Sequence, residues 1–143
     1  MSLQVGLKVS CTKTFTDEDV RLYARITGDE NPIHLDEAYA ASSRFGRRIV
    51  HGMLTAGLIS QLLGNDLPGP GCLYMGQTLK FKAPVFLGDS ITATVEVVKF
   101  REDRGIVTLE TTCTNQDGIT VLEGEAVVML PAEDGGAASQ AAP

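Results

Sequence analysis

The segment over residues 53–63 limits the possible folds more than any other part of the chain. Its apolar members are Met53, Leu54, Ala56, Gly57, Leu58, Ile59, Leu62 and Leu63, and its only polar members are Thr55, Ser60 and Gln61. A helix without a polar side belongs inside a protein, because no face of it favours water. Gly64 and Pro68 are expected to end this helix. The rest of the chain must therefore supply a layer that surrounds one central helix.

After residue 70 the hydrophobic period changes from that of a helix to the two-residue period of β-strands. Apolar residues alternate with Thr and Glu over residues 91–97 and 107–112, a third strand is predicted over residues 119–130, and residues 4–14 and 72–85 are also β-like. Short turn signals separate the last three strands and predict an antiparallel meander. In the last strand the alternation slips near Leu122, which predicts a β-bulge near Gly124.

One apolar helix and one long antiparallel sheet bury the most apolar surface when the sheet curves around the helix. This predicts an α+β protein with a single hot-dog fold, occupying residues 1–131. Residues 132–143 are rich in Ala and Gly, lack periodicity and are expected to form a disordered tail. A sheet with an open edge can also pair with a second copy of the chain.

Acid–base chemistry is most strongly indicated between two helical patterns near the N-terminus. The first helix is expected to begin after Thr16 and to end at Gly28, and a second is predicted over residues 35–42. The loop between them carries Asp29 and His34 and is stiffened by Pro32. A carboxylate and an imidazole held together can move protons to and from water. The alternative is that Asp29 only caps a turn and His34 is a solvated loop residue.

A second candidate lies at His51 and Gly52, where the apolar helix begins. Free N–H groups point out of a helix N-terminus, and a glycine there allows a ligand to approach the backbone closely. The amide of Gly52 could therefore polarise a carbonyl oxygen; the alternative is that Gly52 is only a tight packing point. His51 is assigned to packing or to a hydrogen bond with a loop rather than to catalysis.

The sequence gives weaker evidence of a functional role for Ser60 and for the basic residues. Ser60 lies in the apolar helix without a nucleophile-elbow pattern, so its hydroxyl either bonds the preceding turn or makes one polar contact in a pocket. A basic group could contact a nucleotide phosphate tail, and its members are Arg44, Arg47, Arg48, Lys80 and Lys82.

Composition excludes several other functions. The formal net charge of −6 and the absence of a basic run argue against nucleic-acid binding. The three cysteines form no CxxC pair, so neither a metal site nor a redox motif is expected, and Cys113 is predicted to be buried and inert. No apolar run is long enough to span a membrane, and no secretory signal is recognisable, so the expected compartment is the cytoplasm.

Three segments resemble the MaoC-like (R)-specific enoyl-CoA hydratases. They are residues 28–36 (GDENPIHLD), residues 49–53 (IVHGM) and residues 81–89 (FKAPVFLGD), and the resemblance covers residues 15–131. The compact length is similar to that of the bacterial hydratases that feed polyhydroxyalkanoate synthesis.

The resemblance implies reversible addition of water to a trans-2-enoyl-CoA, giving the (R)-3-hydroxyacyl-CoA. Asp29 and His34 match the catalytic pair, Gly52 matches the donor to the thioester oxygen, and Asn31 and Ser60 match supporting positions around the substrate. It also implies a homodimer that uses no metal and no organic cofactor.

Three alternatives remain open at this point. The chain could be a 3-hydroxyacyl dehydratase of fatty acid synthesis, acting on carrier-protein or CoA substrates. It could be a hot-dog acyl-CoA thioesterase, although these enzymes usually carry a carboxylate on the central helix and residues 53–63 have none. It could also be an acyl-binding subunit without activity.

Overall fold

The computed structural model describes residues 2–132, so almost all of the predicted tail lies outside the described residues. The elements are, in chain order, β1 (Lys8–Thr14), α1 (Asp17–Thr27), α2 (Pro32–Leu35), α3 (Glu37–Ala41), α4 (Gly52–Asn65), β2 (Leu73–Gln77), β3 (Lys80–Phe81), β4 (Ser90–Arg101), β5 (Ile106–Thr114) and β6 (Thr120–Met129). None of these helices is long and apolar enough to cross a bilayer.

The strands form one antiparallel sheet in the order β1-β4-β5-β6-β2, with β3 also paired to β6. The alternation in β4 places Ile91, Ala93, Val95 and Val97 on the inner face, where all four are fully buried. The predicted meander of β4, β5 and β6 is confirmed, and so is the α+β hot-dog architecture. The predicted strand over residues 72–85 is shorter, because it divides into β2 and β3.

The central helix α4 is buried on one side only. Its buried residues, which pack against the sheet, are Thr55, Ala56, Leu58, Ile59, Leu62 and Leu63. Met53, Gly57 and Ser60 lie on the opposite side and are exposed. The prediction that α4 is enclosed all round is therefore wrong for the single chain, because the sheet covers one side and leaves the other open beside β2.

The irregularity in β6 lies at Val121, not at Gly124. Cys113 pairs with Leu122 and Thr114 pairs with Thr120, so Val121 is the extra residue. Both Val121 and Leu122 are consequently buried. Gly124 is required for a different reason: a Cβ there would lie 1.8 Å from the backbone oxygen of Thr78. The predicted break in the alternation of β6 is confirmed, and the bulge lies three residues before its predicted position at Gly124.

The first helix begins and ends as predicted. Thr16 and Asp19 form a reciprocal capping box, and Gly28 closes α1 in the left-handed conformation with φ 83°. Cys113 is fully buried, and this burial raises the pKa of its thiol to about 12, as expected of an inert cysteine. The second helical pattern differs, because it forms two short helices, and His34 lies in α2 rather than in a loop.

Candidate active site

Side-chain hydrogen bonds with the backbone hold the loop between α1 and α2 in place. The hydroxyl of Thr27 accepts from the amide of Asp29 at 3.2 Å, and the Asp29 carboxylate accepts from the amide of Asn31 at 3.3 Å. Asn31 in turn caps α2, because its Oδ1 accepts from the amide of Ile33 at 3.2 Å. Pro32 occupies the first turn of α2, where it needs no donor. The backbone around Asp29 is thus fixed by local sequence.

His34 is buried, and one of its ring nitrogens is already in use. Nδ1 lies 2.7 Å from the carbonyl oxygen of Ile49, which can only accept, so Nδ1 carries the hydrogen. In the neutral ring Nε2 then keeps a free lone pair. Burial lowers the pKa of His34, and the neighbouring His51 and Arg48 lower it further, against the opposite effects of Ile49 and Asp29. The ring is therefore neutral near pH 7 and able to accept a proton.

Arg48 supports α2 from inside the protein. Its Nε donates to the carbonyl of His34 at 2.7 Å, and its Nη1 pairs with Glu37 at 3.1 Å. Nη2 lies 2.7 Å from Asp17, although the angles there fall outside hydrogen-bond geometry. With 5% of its surface exposed, Arg48 cannot contact a phosphate tail, so its place in the predicted basic group is wrong. Sequence gave no sign of this, since Arg48 follows another arginine in a polar run.

His51 packs against His34 and also bonds the loop. The two imidazole rings stack with centroids 3.8 Å apart and planes at 26°, and Tyr23 contacts the ring of His51 at 4.7 Å. Nε2 of His51 lies 3.0 Å from the carbonyl oxygen of Asp29. The prediction of packing or loop hydrogen bonding for His51 is confirmed in both forms.

Gly52 begins α4, and its amide has no hydrogen-bond partner among the described residues. His51 is the N-cap but makes no side-chain cap bond, which leaves the first turn of the helix open to a ligand. A Cβ on residue 52 would lie 2.6 Å from Cε1 of Phe81, so any larger side chain would displace that ring. The helix N-terminus is electropositive and suits an oxygen that gains negative charge.

A cavity of about 450 Å³ joins these groups. Asp29, His34, His51 and Gly52 all line it, and Arg44 and Lys82 contribute basic groups to its wall. Thr55 also lines it, with a buried hydroxyl that lacks a partner among the described residues. Sequence reasoning missed Thr55, because a threonine on a buried helix face gives no separate signal.

Asn31 and Ser60, the predicted substrate-binding residues, are placed elsewhere. The Asn31 side chain caps α2 and is absent from the wall of this cavity. Ser60 lines a second cavity of about 400 Å³ between α4 and β2. Met53 lines both cavities, so they are neighbours. The substrate-binding roles of Asn31 and Ser60 stay predictions.

The three side chains Asp29, His34 and His51 place one potential ligand atom each within 4.8 Å of the others. Zinc needs ligands that converge at about 2.0–2.2 Å. Two of the four nitrogens of the stacked imidazoles already contact the carbonyls of Ile49 and Asp29. The arrangement suits a bridging water better than a metal ion.

Comparison with known proteins shows which sequences this chain resembles. The model of the MaoC-like domain family matches residues 3–118. The (R)-specific enoyl-CoA hydratase of Aeromonas caviae is 52% identical over 130 residues, which cover 91% of this chain and 97% of that protein.

Solved structures agree with the sequence comparison. An (R)-hydratase from A. caviae, described as involved in PHA biosynthesis, superimposes with a TM-score of 0.89 at 52% identity, covering 91% of this chain and 98% of that one. An R-hydratase from Pseudomonas aeruginosa in its unliganded form gives a TM-score of 0.87 at 45% identity, covering 92% and 84%.

Proposed function

This chain belongs to the family of MaoC-like domains, and from that membership we infer that it is an (R)-specific enoyl-CoA hydratase. It adds water reversibly to a trans-2-enoyl-CoA and forms the (R)-3-hydroxyacyl-CoA. The observation that carries this assignment is a single cavity that holds a carboxylate, a neutral imidazole and a free helix-terminal amide. High identity to a curated hydratase over most of the chain supports it.

We propose that Asp29 and His34 hold the reacting water between them. A water bonded to two groups at about 2.8 Å each holds them about 4.6 Å apart at a tetrahedral angle. The carboxylate of Asp29 and a ring nitrogen of His34 lie within 4.8 Å of each other, which fits this spacing. The water oxygen bonds to C3 as one of its protons passes to the pair, and the pair delivers a proton to C2. Both new bonds form on one face of the alkene, which makes the addition syn.

The amide of Gly52 takes the thioester oxygen in this scheme. As the water oxygen attacks C3, negative charge moves through C2 onto the thioester oxygen to give an enolate. A fixed N–H donor beside an electropositive helix end stabilises that charge more in the transition state than in the ground state. These steps require no metal and no organic cofactor, and we propose that the enzyme uses neither.

The remaining substrate contacts follow from the two cavities. We propose that Arg44 and Lys82, which line the first cavity, pair with the phosphates of CoA. Met53 lines both cavities, and in the second Ser60 offers a hydroxyl beside a mainly apolar lining. We propose that Ser60 contacts the acyl portion and that Asn31 supports the site by capping α2.

We further propose that the chain is a homodimer in the cytoplasm. The free edge of the sheet at β2 carries Tyr74 and Met75, which are 42% and 53% exposed, beside the open side of α4. A second copy would cover this apolar surface. The three cysteines are all free thiols, which suits a reducing compartment. A role in supplying monomers for polyhydroxyalkanoate follows from the related hydratase of A. caviae.

Hydration of crotonyl-CoA, with chiral analysis of the product, tests the assignment. Asp29→Asn and His34→Ala should each lower the rate by about 10²–10⁴-fold, the usual size of an acid–base contribution. Glu30→Gln is the matched control, because Glu30 is an exposed carboxylate of the same loop that does not line the cavity. Wild-type turnover in the Asp29 or His34 variant would refute the scheme. Release of free CoA from a saturated acyl-CoA would indicate a thioesterase, and preference for carrier-protein substrates would indicate a fatty-acid dehydratase.

A further inference from the structure

We propose that His51 is a positioning residue that fixes the relative placement of Asp29, His34 and the Gly52 amide. The inference rests on the proposed hydratase function and adds a residue to it. His51 bonds the backbone of Asp29, supports the ring of His34 and directly precedes Gly52 in the chain. It is therefore the one side chain among the described residues that contacts both members of the pair from the end of α4.

The hydrogen bond to Asp29 determines the form of the His51 ring. A carbonyl oxygen can only accept, so Nε2 of His51 must carry a hydrogen at its distance of 3.0 Å. Nδ1 is buried and has no partner among the described residues. The geometry therefore requires a hydrogen on Nε2, the atom that holds the loop of Asp29.

The ring of His51 is surrounded by groups from three parts of the chain. Tyr23 of α1 and His34 of α2 face it, Asp29 lies at its Nε2, and the guanidinium of Arg48 lies behind His34. Contacts from two helices and from the loop of Asp29 therefore hold the ring of His51 in place.

The position of His51 shows that this contact replaces an ordinary helix cap. Asn, Asp, Ser and Thr are the usual N-cap residues, because their side chains accept from an amide of the first turn. His51 occupies the N-cap of α4 but makes no cap bond, because its ring reaches back to the loop of Asp29 instead. The amides of Gly52 and Met53 have no partner among the described residues, whereas that of Leu54 donates to the carbonyl of His51. The ring of His51 thus ties the helix end to the loop.

The effect on catalysis should appear in kcat. Loss of the Asp29 contact would let the loop shift relative to Gly52, and a misplacement of about 1 Å can cost about 10²-fold in rate. Binding of the CoA portion depends on other groups of the cavity, such as Arg44 and Lys82. We therefore expect kcat to fall with little change in KM.

Two substitutions separate positioning from general support of the fold. In His51→Gln the amide nitrogen can stand close to the place of Nε2 and donate to the Asp29 carbonyl. In His51→Asn the side chain is too short to reach it, but asparagine is a favourable N-cap and should keep the helix stable. We expect kcat for crotonyl-CoA to fall by about 10–100-fold in His51→Asn, as is common for residues that orient a reacting group. Recovery of the larger part of kcat is expected in His51→Gln, with similar thermal midpoints in both variants.

Each outcome decides between explanations. If His51→Asn keeps wild-type kcat, or if His51→Gln is as slow as His51→Asn, the positioning role is wrong while the hydratase function stands. Nitrogen NMR of the wild-type histidines provides a readout that is independent of turnover, and a ring of His51 without hydrogen on Nε2 would overturn the proposal. A wild-type chain that hydrates no enoyl-CoA would overturn the proposed function and this inference together.

Discussion

At the scale of single residues, the chemistry of His34 depends on which of its ring nitrogens is free. Nδ1 is bonded to Ile49, and the backbone of His34 is held by Arg48, so only Nε2 can serve as a proton acceptor. The residues that set these roles, Arg48 and Ile49, lie 14 and 15 residues beyond His34 in the chain. The loop sequence around His34 supplies the imidazole, and distant residues orient it.

The lowered pKa of His34 predicts how activity responds to acid. Its ordinary pKa is 6.5, and burial shifts it downward. If neutral His34 accepts the proton of water, the acid limb of kcat/KM should have an apparent pKa below 6.5. A pH–rate profile measures this, with return to neutral pH as the control for irreversible loss. An acid limb at or above 6.5 would contradict the assignment.

The same shift bears on folding. The unfolded chain binds a proton at His34 near pH 6.5, and the folded chain binds it only at lower pH. Between these two values the unfolded state holds more protons, so stability falls as the pH decreases. The stability that the neutral form of His34 contributes to the folded chain is complete above pH 6.5. It is lost as the pH falls through the pKa of His34 in the folded chain.

At the scale of elements, β6 shows how one strand satisfies two requirements. The extra residue Val121 turns both Val121 and Leu122 into the core, and Gly124 then lets the backbone of Thr78 approach the strand. The strand thereby contributes Val121 and Leu122 to the wall of the first cavity. A regular strand would present only one of these two side chains to the interior.

Substitution of Gly124 tests this packing. In Gly124→Ala the new Cβ would overlap the Thr78 oxygen at 1.8 Å, and a backbone atom cannot move away cheaply. We expect the free energy of unfolding to fall by about 3 kcal/mol, measured by urea denaturation. Gly64→Ala is the control, because a Cβ at this helical glycine meets nothing within 4 Å and should stabilise slightly. Equal stability of the two variants would contradict the close approach.

At the scale of the whole molecule, the two edges of the sheet differ in chemistry. On β1 the side chains Ser10, Thr12 and Thr14 form hydroxyl pairs with β4, whereas the β2 edge carries Tyr74 and Met75. An exposed apolar edge favours association, and a polar edge resists it. The open side of α4 lies beside β2, so the two surfaces together form the proposed dimer contact.

The proposed dimer predicts a solution mass of twice the 15.2 kDa of one chain. Met75→Asp should shift the protein toward the monomer, because a carboxylate would be buried at the contact. Val98→Asp is the matched control, since Val98 is an exposed apolar residue on β4, separated from β2 by β5 and β6. Sedimentation velocity measures both. A wild-type monomer, or dissociation in both variants, would refute a contact at β2.

The sequence alone determined the features that depend on neighbouring residues. Hydrophobic period identified α4 and the strands of the meander, the capping residues fixed α1, and the motif around Asp29 and His34 pointed to acid–base chemistry. The inferences about α4, the meander and α1 succeed because period and caps are set within a few residues of chain. The acid–base role of Asp29 and His34 stays a prediction.

The tertiary structure decided what depends on contacts between distant residues. In the folded chain Arg48 is buried and the bulge lies at Val121. His51 bonds the backbone of Asp29, and one side of α4 is exposed. Each of these depends on which surfaces meet when the sheet closes over the helix. The sequence therefore indicated the reaction, and the folded chain determined how its groups are held.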